Sequence, residues 1–118
     1  MDPYPAHVQR THSIADARAS FEKLQKEHKK VTLAGRVRAL REHGGSTFAD
    51  IEDGTGNFQL YFKKDGIGEQ AYDLLQAVID VGDFIEVIGS LFVTKKSEQT
   101  LKVETWRMLV KSILPLPE

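Results

Sequence analysis

The feature that most constrains this chain is a change of hydrophobic period at Val31. Before it, Ile14, Ala17, Phe21 and Leu24 recur at helical spacing. Ser13 precedes them as an N-cap, with Asp16 three residues on in the place of the capping-box acid. Glu22 and Lys26 form an i,i+4 pair. An amphipathic helix is expected over 14–28, ending in the charged run KEHKK. That run reads as a solvated helix end or, more pointedly, as a contact to RNA phosphate. From Val31 the period is two: Val31, Leu33, Val37 and Ala39 alternate with Thr32, Arg36 and Arg38, with Gly35 as a bulge or bend signal. HGGS (43–46) is a turn, STFADIE a second strand, Asp53-Gly54 a hairpin turn and GNFQLYF a third strand.

Helical spacing returns over 68–80, with Ala71, Leu74, Leu75 and Val78 on one face. DVGD (80–83) ends that helix. FIEVIGSLFV is a fourth strand, TKKSEQ a polar loop and TLKVETWRML a fifth strand. Two prolines each mark the opening MDPYPAHVQRTH as an extended arm and the closing SILPLPE as a linker. The order is helix, three strands, helix, two strands. The expected fold is all-β with helices: a five-stranded OB-fold Greek-key barrel, with one helix between strands 3 and 4 and an N-terminal amphipathic helix. The expected organisation is an arm and helix over 1–30, the barrel over 31–111 and a linker over 112–118. In such barrels strands 2–3 and the loops joining strands 1–2 and 4–5 carry the ligand.

Alternation raises a question at Phe48. Ala49 and Ile51 take the inward phase on the second strand, so Phe48 and Asp50 face out. On the third strand Phe58, Leu60 and Phe62 face in, while Asn57, Gln59 and Tyr61 face out. A two-residue turn at Asp53-Gly54 pairs Glu52 with Thr55 and sets Phe48 across from Gln59. An exposed ring beside an exposed amide suits single-stranded RNA, which is read by stacking on aromatic rings and by hydrogen bonds to base edges. Arg41, at the end of strand 1, adds a guanidinium fork. The plainer alternative is a Phe48 covered by the N-terminal helix or a loop, and a register slip or bulge inverts the assignment.

Other classes are less well served. The chain has 118 residues, no cysteine and a net charge of −1. Thiolate metal sites and disulfides are thereby excluded, and affinity from overall positive charge is too. No apolar run approaches the roughly 18 residues of a membrane helix, and a reducing cytoplasm suits the chain. There is no phosphate loop of the GxxxxGK[ST] type. The four histidines are scattered, so no metal site is expected, and His43 reads as a turn residue before it reads as a ligand. Asp50, Glu52 and Asp53 read as a solvated acidic turn, and Trp106 and Tyr72 as residues in or on the core. No nucleophile–base pair stands out, so no catalytic residue is expected.

The stretch VTLAGRVRALREHGGSTFADIEDGTGNFQLYF resembles the anticodon-binding domain of class II aminoacyl-tRNA synthetases of the Asp/Asn/Lys group. The shared pattern is an AGRV-type first strand, a basic run, a G-x-[ST]-F turn and D-x-x-G-x-[IF]-Q-L. DPYPAHVQRTHSIADARA, GSLFVTKKSEQTLKVE and MLVKSILPLPE are similar to the lysyl branch. The resemblance implies binding to the U-rich anticodon of tRNA(Lys). It implies a central uridine stacked on Phe48, its edge contacted by Arg41 and Gln59, and Glu98 reading the first anticodon base. Arg36, His43, Lys95 and Lys96 are further expected RNA contacts. Two positions depart from the family: Ser97 replaces a glycine before the loop acid, and Leu114 an arginine before PLP.

The resemblance also implies a catalytic part with its own ATP and Mg2+. Its motifs are not in this sequence, so the chain alone is expected not to aminoacylate. A mostly monomeric fragment of a homodimeric enzyme is expected, with a free-standing relative as the alternative. Two competing classes remain: a general single-strand-binding OB domain, and a protein-interaction module anchored by Phe48.

Overall fold

The structure, a computed structural model, describes residues 11–109. Most of the expected arm, all of the expected linker and Leu114 lie outside the described residues. The elements are α1 (Ile14–Ala19), α2 (Phe21–Lys26), β1 (Val31–His43), β2 (Ser46–Glu52), β3 (Asn57–Lys63), α3 (Lys64–Ile67), α4 (Glu69–Val78), β4 (Phe84–Val93) and β5 (Gln99–Met108). The strands close into a barrel in the order β1-β2-β3-β5-β4, with β4 returning to pair antiparallel with β1. The last join is parallel, between Gln59, Leu60, Tyr61 and Thr100, Leu101, Lys102. Alternation fills the interior with Leu33, Ile51, Phe58, Leu60, Phe62 and Leu101, all buried. The expected five-stranded OB-fold, with its helix between strands 3 and 4, is the fold observed.

The single helix expected over 14–28 is instead two short helices bent at Ser20. The Ser13 hydroxyl caps α1 by accepting the Asp16 N–H at 3.1 Å. Backbone hydrogen bonds run through the bend, from Ser20 N–H to Asp16 O and from Leu24 N–H to Ser20 O. The bend lets one apolar seam follow a curved barrel floor, because α1 lies on β3 and α2 on β4. Ile14, Ala17, Phe21 and Leu24 are all buried as their spacing requires. α2 ends through His28, whose φ of 55° lets the Lys29 N–H reach back to Leu24 O at 3.2 Å. In the KEHKK run, Lys30 pairs with Glu104 of β5.

The second helix begins after Gly68, and its buried face is rotated from the expected one. Tyr72, Leu75 and Ile79 point inward, while Leu74 and Val78 are 55% and 40% exposed. The Tyr72 ring wins the interior because its hydroxyl finds a partner there, Thr47 Oγ1 at 2.9 Å. Trp106 lies against the same helix, donating to Ala71 O at 3.3 Å.

The hairpin between β2 and β3 differs from expectation in register. Its loop has four residues, 53–56, so Glu52 pairs with Asn57 and Phe48 with Tyr61. Asp53 causes this. Its carboxylate accepts the Thr55 N–H and hydroxyl on one oxygen and the Ile14 N–H on the other, at 2.8 Å. Asp53 is therefore not part of a solvated turn; it is buried and ties the hairpin to the start of α1. The register moved by two residues, which preserves every face.

Two glycines mark places where strands approach too closely for a side chain. A Cβ on Gly35 would lie 2.8 Å from Glu52 O, and one on Gly89 only 1.9 Å from Lys102 O. Gly89 borders a register shift between β4 and β5. Gly89→Ala should destabilise the domain by about 3 kcal/mol or more in urea denaturation, since only main chain can move aside. A loss under about 1 kcal/mol would mean that the strands separate freely there.

Asp53 gives a pH prediction. Burial alone would push its carboxyl up, but the hydrogen bonds from Thr55, Ile14 and the Gly56 backbone outweigh burial and hold it below the usual value. A depressed folded-state value stabilises above the unfolded pKa of about 3.9 and loses that contribution as pH falls through the folded value. Wild type should exceed Asp53→Asn by about 1–3 kcal/mol at neutral pH, and the gap should shrink below about pH 4. A gap that ignored pH would show that the charge is not what matters.

Candidate nucleic-acid interface

The register of the barrel builds two cross-strand rows on the outer face of β2 and β3. One runs Arg41, Phe48, Tyr61, Lys102; the other runs Asp50, Gln59, Thr100, Phe92. Each residue faces out because its neighbours along the strand, such as Ala49, Leu60, Leu91 and Leu101, are buried inside. Arg41, Phe48, Tyr61, Gln59 and Phe92 of these rows line an open cleft of about 510 Å³, walled by the β4–β5 loop.

Phe48 stands half-buried in this cleft. Its ring meets Tyr61 at 4.9 Å between centroids and the edge of His43 at 6.2 Å. The ring borders open space, so neither the N-terminal helices nor a loop covers it. Tyr61 in turn meets Phe92 edge-on at 5.9 Å. Four rings from β1, β2, β3 and β4 thus form one continuous wall.

Beside the rings runs a polar relay. Arg41 donates to Asp50 Oδ2 at 3.3 Å and to Gln59 Oε1 at 3.1 Å. Gln59 Nε2 donates to Thr100 Oγ1 at 3.0 Å, and the Thr100 hydroxyl donates to Glu98 O at 3.1 Å. Gln59 is only 6% exposed, so it is an anchored amide rather than a freely projecting one. It lies one pair along from its expected place opposite Phe48. Arg41 keeps further N–H groups for a ligand, since a guanidinium carries five.

The β4–β5 loop holds Lys95, Lys96 and Glu98 at the rim, all exposed. The Thr94 N–H donates to Glu98 O at 3.0 Å and the Glu98 N–H to Thr94 Oγ1 at 3.2 Å. Ser97 sits at φ 63°, in the left-handed region that favours glycine. A glycine would relieve that conformation, which gives the serine departure its physical meaning: the loop path survives at some backbone cost.

The structure brings Arg41, His43, Phe48, Gln59, Lys95, Lys96 and Glu98 into one cleft. His43 is both the last residue before the turn and a cleft wall. Arg36 is placed elsewhere, with its guanidinium 4.6 Å above the Phe84 ring. Phe92 and Thr100 were not singled out by sequence; Tyr61 was set on the outward face without a role, and Asp50, read as part of a solvated acidic turn, instead lies on β2 and accepts from Arg41. Phe92 had the same kind of signal as Phe48, an aromatic out of phase with a buried apolar neighbour, Leu91 for Phe92 and Ala49 for Phe48. Among the described residues no cluster of His, Cys, Asp and Glu is arranged to hold a metal ion.

A closed five-stranded barrel with its cleft on β2–β3 and the β4–β5 loop defines an OB-fold nucleic-acid-binding module. Residues 31–109 match the tRNA anticodon family, described as an OB-fold nucleic acid binding domain, and the chain belongs to that family. It is also homologous along its whole length to lysine–tRNA ligases. It is 38% identical to that of Methanoculleus marisnigri over 98% of this chain and 23% of the relative. It is 40% identical to that of Moorella thermoacetica over 100% and 24%, and 41% to that of Clostridium perfringens over 99% and 23%. The chain spans about a quarter of the length of the curated relatives it matches.

The relay can be tested by stability alone. Thr100→Val keeps the shape but leaves a buried Gln59 N–H without its acceptor. That should cost about 1–3 kcal/mol in urea denaturation. A neutral result would show that water or a shifted side chain replaces the threonine hydroxyl.

Proposed function

We propose that this domain binds the anticodon loop of tRNA(Lys) and reads its U-rich anticodon as one part of a lysine–tRNA ligase. The observation that carries this reading is the half-exposed Phe48 ring beside the anchored Arg41–Gln59 pair, in one open cleft. An unpaired base stacked on Phe48 places its edge toward Arg41 and Gln59. Arg41 only donates, so it favours a pyrimidine carrying the O4 acceptor of uracil over one carrying the N4 donor of cytosine. Glu98 at the rim accepts from a neighbouring base, while Lys95 and Lys96 face its phosphates.

The acylation itself, with ATP and Mg2+, falls to the rest of the proposed enzyme, a cytoplasmic homodimer. This domain contributes recognition, and its binding energy positions the distant acceptor end. A second reading, a general single-strand binder, is favoured by the aromatic wall, because stacking tolerates any base.

Binding of the chain to a tRNA(Lys) anticodon stem-loop, at two salt concentrations, separates these readings. The control is the same loop with its central uridine changed to cytidine. Preference for uridine supports anticodon reading. Equal binding that falls steeply with salt supports the general binder. Absence of binding to either loop would favour a protein-interaction surface. Phe48→Ala should weaken binding to the uridine loop by about 1–3 kcal/mol and leave the unfolding transition in place. An unfolded variant would instead make Phe48 a core residue.

A further inference from the structure

We infer that Phe92, backed by Tyr61, is a second stacking platform, which takes the nucleotide next to the one on Phe48. The inference rests on the anticodon-reading proposal and assigns a further subsite to the same cleft. Phe92 lies on β4, with β5 between it and β3, yet its ring is 5.9 Å from Tyr61, so it crosses the width of β5. It crosses where β5 offers the small side chain of Thr100, its register partner. The Leu91 side chain before it already serves the core, so Phe92 has no part in filling the barrel.

The ring planes decide how many bases the wall serves. Tyr61 is tilted 36° from Phe48 and 63° from Phe92. No single flat base lies parallel to all three rings. A base on Phe48 therefore leaves Phe92 for a neighbour. The surroundings of Phe92 also suit a nucleotide. Lys95, Lys96 and Glu98 share its end of the cleft, giving cations for phosphate and an acceptor for a base N–H. Among the described residues the Tyr61 hydroxyl has no hydrogen-bond partner, although it borders the same space.

The test compares wild type, Phe92→Leu and Phe92→Trp of the full chain. The probes are the intact stem-loop and two loops abasic at one or the other neighbour of the central anticodon nucleotide. Leucine keeps apolar volume and removes the π face; tryptophan keeps a π face. Phe92→Leu should bind the intact loop roughly 5- to 150-fold more weakly, and Phe92→Trp should bind near wild type. On one of the two abasic loops, Phe92→Leu and wild type should bind alike, because the base that stacked there is gone. An equal loss on both abasic loops would overturn the inference and make Phe92 a packing residue; so would no loss on the intact loop. Wild-type preference for the central uridine is read in the same assay. Where that preference holds and the Phe92 pattern fails, only the second platform falls. Where the preference is absent, both proposals fall.

Discussion

Three residue pairs close the barrel, and most of the site hangs on them. β3 and β5 run parallel only along Gln59–Tyr61 and Thr100–Lys102. Parallel pairing between strands so far apart in sequence needs a long connection, here supplied by α3, α4 and β4. Within the three pairs, Leu60 and Leu101 face the core and hold the join by burial. The flanking residues necessarily face out, which sets Gln59 on Thr100 and Tyr61 beside Lys102. The same closure carries the β4–β5 loop to the edge of the β2–β3 face. Loosening this join would cost the core and dismantle the cleft together, so stability and recognition are coupled there.

This explains which parts were legible in the sequence. Face assignment follows from a period of two and needs no knowledge of register. Phe48 and Gln59 were correctly set on one face although the hairpin was read two residues too tight, whereas Arg41 shares the phase of Val37 and Ala39 and reaches that face only through the register shift between Val37 and Ala39. What alternation cannot convey is which residues lie opposite across strands distant in sequence. Thr100 and Phe92 join the site only through the closure and through the β4–β5 register, so their roles were hidden. Asp53 was misread for a related reason. Its partner, the Ile14 N–H, is far away in sequence, and a lone turn aspartate carries no mark of that hydrogen bond. The helix face at Tyr72 was missed because a hydrophobic count ranks leucine and valine above tyrosine, whereas Thr47 rewards the hydroxyl.

Charge is arranged locally rather than in bulk. With a net charge of −1 the chain has little general attraction for a polyanion. Away from the cleft, ion pairs occupy several of its basic residues: Lys30 with Glu104, Arg38 with Glu52, Lys64 with Glu69 and Arg107 with Glu86. Most of these are exposed and contribute little stability each. Arg107 with Glu86 differs, since Glu86 is buried and the guanidinium keeps its charge satisfied. At the cleft rim Lys95 and Lys96 stand exposed beside a single acid, Glu98. A surface so composed attracts phosphate weakly everywhere and usefully at one place, which leaves discrimination to base contacts.

In the proposed reading, discrimination in turn depends on Gln59 being held rather than free. An amide that can flip presents either a donor or an acceptor to an incoming base and so distinguishes poorly. Here Arg41 fixes the oxygen end and Thr100 fixes the nitrogen end. Flipping the amide would set N–H groups against Arg41 N–H groups in a buried position, where unpaired donors are costly. The donors of Arg41 are similarly aimed by Asp50. A base stacked on Phe48, as proposed, would therefore meet a fixed pattern of hydrogen-bonding groups. Under the proposed anticodon reading, a base that mismatches the pattern would leave buried polar groups unpaired, and that penalty would separate uridine from cytidine more effectively than any gain from stacking, which both bases share.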